Sequence, residues 1–120
     1  MIIVVVKREG KMKHLIFAVI NRHDITEITL EKLSEAGFNG TVIASSSLRK
    51  TIANGGEIPM FFSLAHVENS KYEGNTTLYI VTEEEKVDEV LEIIRESTKH
   101  FTLSDGGMFV VPLEKFEGSF

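Results

Sequence analysis

Two stretches of this chain carry residue types that binding chemistry uses. Ser45-Ser46-Ser47 closes an apolar run and clusters hydroxyl donors at its end. Ser104-Asp105-Gly106-Gly107 is a tight turn whose exposed backbone N–H groups could cradle an anion or a phosphate. Each also has a plainer reading: the serines as a strand exit with capping, the glycines as an ordinary turn. Lys115 lies just beyond the final apolar run and either supplies a cation to the same cleft or is simply solvated. His14, His23, His66 and His100 share no metal-ligand spacing and read as structural. Cysteine is absent, which excludes disulfides, thiolate metal sites and Cys nucleophiles. A Ser/His/Asp triad meets only in space, and no nucleophile elbow supports one. The expectation is no catalytic residue, no metal and no cofactor.

Composition narrows the class. The 120 residues are 42% hydrophobic and 26% charged, as in one ordinary globular domain. The net charge of −5 and the lack of a basic patch interleaved with aromatics argue against nucleic acid. The apolar run Ile2–Val6 is too short for a signal sequence or a membrane span. A cytoplasmic protein without membrane insertion is expected.

The elements that must position these residues are legible as periods. His14–Ile20 (HLIFAVI) is nearly continuously apolar and reads as a central strand. Asp24 and Glu27 form a capping box for a helix ending at Gly37, with Ile25, Ile28, Leu30, Leu33 and Ala36 as its apolar set. Gly40–Ser47 is the next strand. Gly74-Asn75 is a turn, Thr76–Val81 a strand, and Thr82 with Glu85 a second capping box. Glu83–Glu85 complement that helix's positive end rather than bind a metal. Val87, Val90, Leu91 and Ile94 give the helix, which runs to about Thr98, a clean stripe. Met108–Val111 closes the set. Two strand–helix–strand halves, roughly 13–47 and 75–112, predict an α+β ferredoxin-like βαββαβ fold: an antiparallel sheet in the order 4-1-3-2 with two helices on one face.

That fold leaves two segments over. Residues 1–11 form an N-terminal extension. Both sides of His14–Ile20 are taken by neighbours, so Met1–Val6 pairs at an outer edge, reaches another subunit, or precedes a start at Met12. Residues 48–74 form a long central loop, too long to be structureless unless functional. Ser46 or Ser47 caps a short helix there, ending at Asn54-Gly55-Gly56, and Ile58–Phe62 surrounds Pro59. The segment is either a satellite strand packed on its own domain or a mobile loop presenting Met60, Phe61 and Phe62.

Gly74–Glu96 (GNTTLYIVTEEEKVDEVLEIIRE) resembles, nearly throughout, the corresponding strand and helix of the cyclic-di-AMP receptor branch of the PII-like superfamily. Phe109–Phe116 (FVVPLEKF) is similar to that branch's closing strand and tail. Ser104–Val110 (SDGGMFV) instead resembles the phosphate-binding Gly-Asp-Gly-Lys turn of the nitrogen-regulatory PII proteins, with Gly107 in place of the lysine. Gly37–Ser47 matches the second strand of either branch. The long central loop and short turn near Asp105 have the proportions of the nitrogen-regulatory proteins. Ser46-Ser47-Leu48-Arg49 stands where the cyclic-di-AMP branch carries Gly-Gly-Phe-Leu.

The resemblance implies a homotrimer whose sheets face a central channel, with ligand clefts between subunits. Those clefts would be built from Gly40–Ser47, Leu48–Gly74 and Ser104–Gly107. It makes Thr41, Ser45 and Ser46 hydroxyl donors, Asp105, Gly106 and Gly107 the backbone cradle, and Lys115 the cation. Met60, Phe61 and Phe62 become anchors for a regulated partner protein. The implied function is non-enzymatic signal transduction, in which a small anionic or nucleotide ligand, cyclic-di-AMP or ATP among them, orders the central loop. A metal-handling protein like the CutA group, or a structural trimer without ligand, would share the fold.

Overall fold

The computed structural model describes residues 12–48, 52 and 75–120. Their centre is β1 (Lys13–Ile20), the apolar run expected to lie inside the sheet. It pairs antiparallel with β3 (Asn75–Glu83) on one side and β4 (Gly106–Leu113) on the other. The short β2 (Thr41–Ser45) pairs with β3, giving the order β2-β3-β1-β4. This is the expected 4-1-3-2 arrangement. Ile16, Ala18, Leu78 and Ile80 form one face of the central strands. They bury against Leu33 of α1 (His23–Glu35) and against Val90 and Ile94 of α2 (Val87–Thr98). Both helices cover that same face, and neither is long and apolar enough to cross a membrane.

Both capping boxes are corrected by the structure. Thr82 does not cap α2. It remains in β3, buried opposite His14, because pairing with β1 extends the strand to Glu83. The ladder's hydrogen bonds outweigh one cap, and the helix starts through a 3-10 turn at Glu84–Lys86. Asp24 lies inside α1, whose N-cap is Arg22, and its carboxylate pairs with the Arg22 guanidinium. The end of α1 is as expected. Gly37 takes φ +91°, its N–H donates to the Ser34 carbonyl, and Phe38 N–H donates to that of Leu33.

The buried side of α1 is rotated from the predicted set. Thr26 and Thr29 lie inside with Ile25 and Leu33, whereas Ile28 and Ala36 are exposed. A threonine can sit there because its hydroxyl is satisfied. Thr29 Oγ1 donates to the Ile25 carbonyl at 2.9 Å and shares a 2.6 Å hydrogen bond with Ser97 Oγ of α2. Beyond α2 the chain reverses through Lys99, His100 and Phe101, all with positive φ. Thr98, fully buried, holds that turn by accepting the Phe101 N–H at its hydroxyl. These left-handed residues are each costly alone and persist because the surrounding bonds over-determine them. The expected placements of Met1–Val6, Gly74 and the short helix at Asn54–Gly56 lie outside the described residues.

Candidate functional site

The ends of four strands meet at the upper edge of the sheet. Register places Ser45 opposite Asn75, Thr76 opposite Ile20, and Ile20 opposite Gly106. A cleft of about 690 Å³ opens there. Its polar groups are Asn21, Ser47, Asn75 and Asp105, and its apolar wall is Val19, Leu48 and Ile52, with Gly106 at its edge. That volume and mixture suit a small ligand held by a few oriented polar groups. Asp105 brings the one charged side chain among the described lining residues.

The cleft's geometry rests on a tie between the end of β1 and the turn before β4. Asn21 N–H donates to the buried Ser104 Oγ at 2.8 Å and to the Asp105 carbonyl at 3.2 Å. Arg22 Nη1 reaches the Leu103 carbonyl at 3.4 Å. The same guanidinium forms a two-pronged pair with Asp24, at 3.0 and 2.5 Å. Hydrogen bonding from Arg22, helped by its charge, holds the Asp24 carboxyl below the usual aspartate range against a smaller opposing effect of burial. Gly106, at φ +127°, lets β4 approach so closely that any Cβ there would collide with the Val19 carbonyl.

The sequence-predicted residues fall into three groups. Asp105 and Gly106 line the cleft, and Ser45 and Ser46 stand at the same upper end. The Ser45 hydroxyl accepts from Thr77 Oγ1 at 2.9 Å, and Ser46 Oγ donates to the Ser47 carbonyl at 3.4 Å. Gly107 belongs to β4 opposite Val19, as Gly106 does opposite Ile20, so both glycines sit in the ladder rather than in a free turn. Thr41 and Lys115 lie elsewhere. Thr41 begins β2 and lines a separate hollow of about 320 Å³. Lys115 follows the far end of β4, whose length is about 24 Å at the usual rise per residue. Within one chain it therefore cannot reach the Asp105 cleft. Met60, Phe61 and Phe62 lie outside the described residues.

Sequence reasoning missed Asn21 and Asn75, and included Leu48 and Ile52 only as part of the segment 48–74 without singling them out. The first two had a signal: each is an asparagine at a strand end, where a polar group meets the sheet's rim. Leu48 and Ile52 carried none, because two apolar residues four apart read equally well as core. Among the described residues no three His, Cys, Asp or Glu side chains come together as a metal group.

The sheet face opposite the helices forms a second candidate region. Phe17 stacks on Phe109 with centroids 4.8 Å apart and meets Tyr79 at 5.4 Å. Register adds Leu15, Val81 and Val111 on one side of this ladder, and Val19, Thr77 and Ile43 on the other. Aromatics on a four-stranded sheet can stack nucleic-acid bases. Here the flanking residues are aliphatic apart from Thr77, and the ammonium of Lys13 stands over the Phe116 ring. The face therefore suits an apolar protein surface better than a phosphate backbone.

A scan against protein-family models finds no match, and a search of curated proteins finds none. Solved structures do match. A functionally unknown protein from Pediococcus pentosaceus aligns over 91% of this chain and 99% of its own, at 18% identity and a TM-score of 0.57. Arabidopsis thaliana PII bound to citrate aligns over 86% of this chain and 78% of its own, at 17% identity and a TM-score of 0.56. At such identity the likeness carries the architecture alone: this chain shares the fold of PII.

Proposed function

We propose that this chain is a non-enzymatic PII-like signal-transduction protein. Three copies pack through their open sheet faces, and the upper cleft of each, completed by a neighbour, binds a small anionic or nucleotide ligand. Ligand then biases the segment between Leu48 and Asn75, which engages a regulated protein through Met60, Phe61 and Phe62. One observation carries the reading: an apolar, aromatic sheet face, which the described residues overlie only at its lower end through Phe116 and Phe120, runs directly into a polar cleft at the strand ends. A face of that kind needs a partner. The shared fold with a PII structure that holds citrate, a small anion, supports the ligand class.

In this reading Ser45, Ser46, Asp105, Gly106 and Gly107 contribute from one chain. Thr41 and Lys115, at the other end, serve a cleft through an adjacent copy. A second reading, a structural or partner-binding trimer without ligand, is favoured by one feature: the cleft's charged group among the described residues is a carboxylate. Thermal unfolding with ATP, ADP, cyclic-di-AMP and citrate at millimolar concentration separates the two. A specific ligand raises the melting temperature in proportion to the logarithm of its concentration. No shift with any of them removes the ligand and leaves the structural trimer.

A further inference from the structure

We infer that the tail Glu114–Phe120 is a clasp that docks on the lower end of its own chain's open sheet face and bounds the area offered to other copies. β4 ends at Leu113, opposite Lys13. The chain then turns back beneath the sheet. The Lys13 ammonium stands 5.7 Å from the centre of the Phe116 ring, and Phe116 meets Phe120 edge-on at 6.4 Å. Phe120 lies at the rim of the hollow of about 320 Å³ that Leu15, Gly40, Thr41, Tyr79 and Val81 also line. The path runs from β4 past β1 and β3 to the start of β2, about 14 Å for three strand spacings. Seven residues reach about 23 Å when extended, so the span is made with slack. Gly118, at φ +109°, supplies a bend between the two aromatics.

The chemistry of the tail fits a clasp. Phe116 and Phe120 are its apolar anchors, partly covered at 42% and 64% exposure, and Glu114, Lys115 and Glu117 between and before them are exposed as well. Docking sets Phe120 beside Leu15, Tyr79 and Val81, with the charged residues of the same segment next to it in sequence. Charge at an apolar border opposes further association. Without the tail, the apolar strip runs unbroken from Phe109 and Ile43 down to Val81.

The docking stands independently of the proposed trimer; only its consequence for assembly rests on that reading. The chain has no tryptophan and two tyrosines, so Tyr72→Phe leaves Tyr79 as a single reporter beside the hollow. In that background, truncation after Leu113 and the full-length pair Phe116→Ser, Phe120→Ser are compared with the parent. Acrylamide quenching of Tyr79 rises in both variants, and light scattering gives each a mass above the parent's. The point variants keep the test open if the truncated chain does not fold. Unchanged quenching overturns the clasp, and a fall in mass overturns it too, by making the tail a contact between copies. A monomeric parent instead removes the trimer, while quenching still decides the clasp.

Discussion

The two faces of the sheet are built from the same strands but differ in what covers them. On the helix side Ile16, Ala18, Leu78 and Ile80 are at most 3% exposed. On the other side Phe109 is 54% exposed and Val111 38%, although Phe17 and Tyr79 beside them are just as apolar in kind. A sheet with one wet face needs only alternating hydrophobicity. HLIFAVI and TTLYIV do not alternate cleanly, so these strands carry apolar surface that their own helices cannot reach. Covering such surface is worth about 25 cal/mol per Å². Among the described residues, no helix lies over that face.

Substitutions can break or sharpen this contrast. The largest effect belongs to the covered face: Ile94→Ala empties a fully buried site between α2 and the sheet and should cost about 2–5 kcal/mol in urea unfolding. A cost under 1 kcal/mol would deny that this face is the close-packed one. Gly106→Ala is next. The new methyl meets the Val19 carbonyl, and with the positive φ should cost about 1–3 kcal/mol. Hydrogen exchange at Asn21 then quickens, because the turn that ties it shifts. Thr29→Val keeps the shape of the helix seam and removes one hydrogen bond to Ser97, whose hydroxyl keeps the Ile93 and Ile94 carbonyls, a loss of about 1 kcal/mol by thermal unfolding.

A smaller effect comes with acid. The Asp24 carboxyl titrates lower in the folded chain than in the unfolded one. Its contribution is therefore complete above the ordinary aspartate range and is lost as pH falls through its depressed value. Arg22→Ala should flatten that part of the stability–pH curve. Phe109→Asp completes the series. It gives up the stacking on Phe17 and should cost a single chain about 0.5–1.5 kcal/mol, yet it places a charge on the open face. Circular dichroism should stay native while the mass by light scattering falls. An unchanged mass would mean that the open face is not a contact.

Much of this architecture was legible in periods. The two strand–helix–strand halves predicted the sheet order, and the stripe Val87, Val90, Leu91, Ile94 predicted a helix lying on the sheet. Local rules failed where tertiary pairing overrode them. Thr82-x-x-Glu85 is a good cap in isolation, but Thr82 had a strand partner in His14. Asp24 had Arg22 two residues before it, and the ion pair displaced the cap. The cleft was half legible. Serines and a glycine turn at strand ends pointed to its rim. Asn21 joins it through its bonds to the turn at Ser104 and Asp105, and Leu48 and Ile52 through the path of the chain beyond β2, neither of which a single sequence states. Lys115 is near the turn in sequence, but β4 lies between them, so it can serve such a cleft only from another copy.

The central claim is that copies of this chain cover one another's open sheet faces. Size-exclusion chromatography with multi-angle light scattering on the full chain tests it directly. The account predicts a mass three times that of one chain, stable on dilution and lost in Phe109→Asp. A monomer for the parent chain, with its aromatic face free in solution, would contradict it.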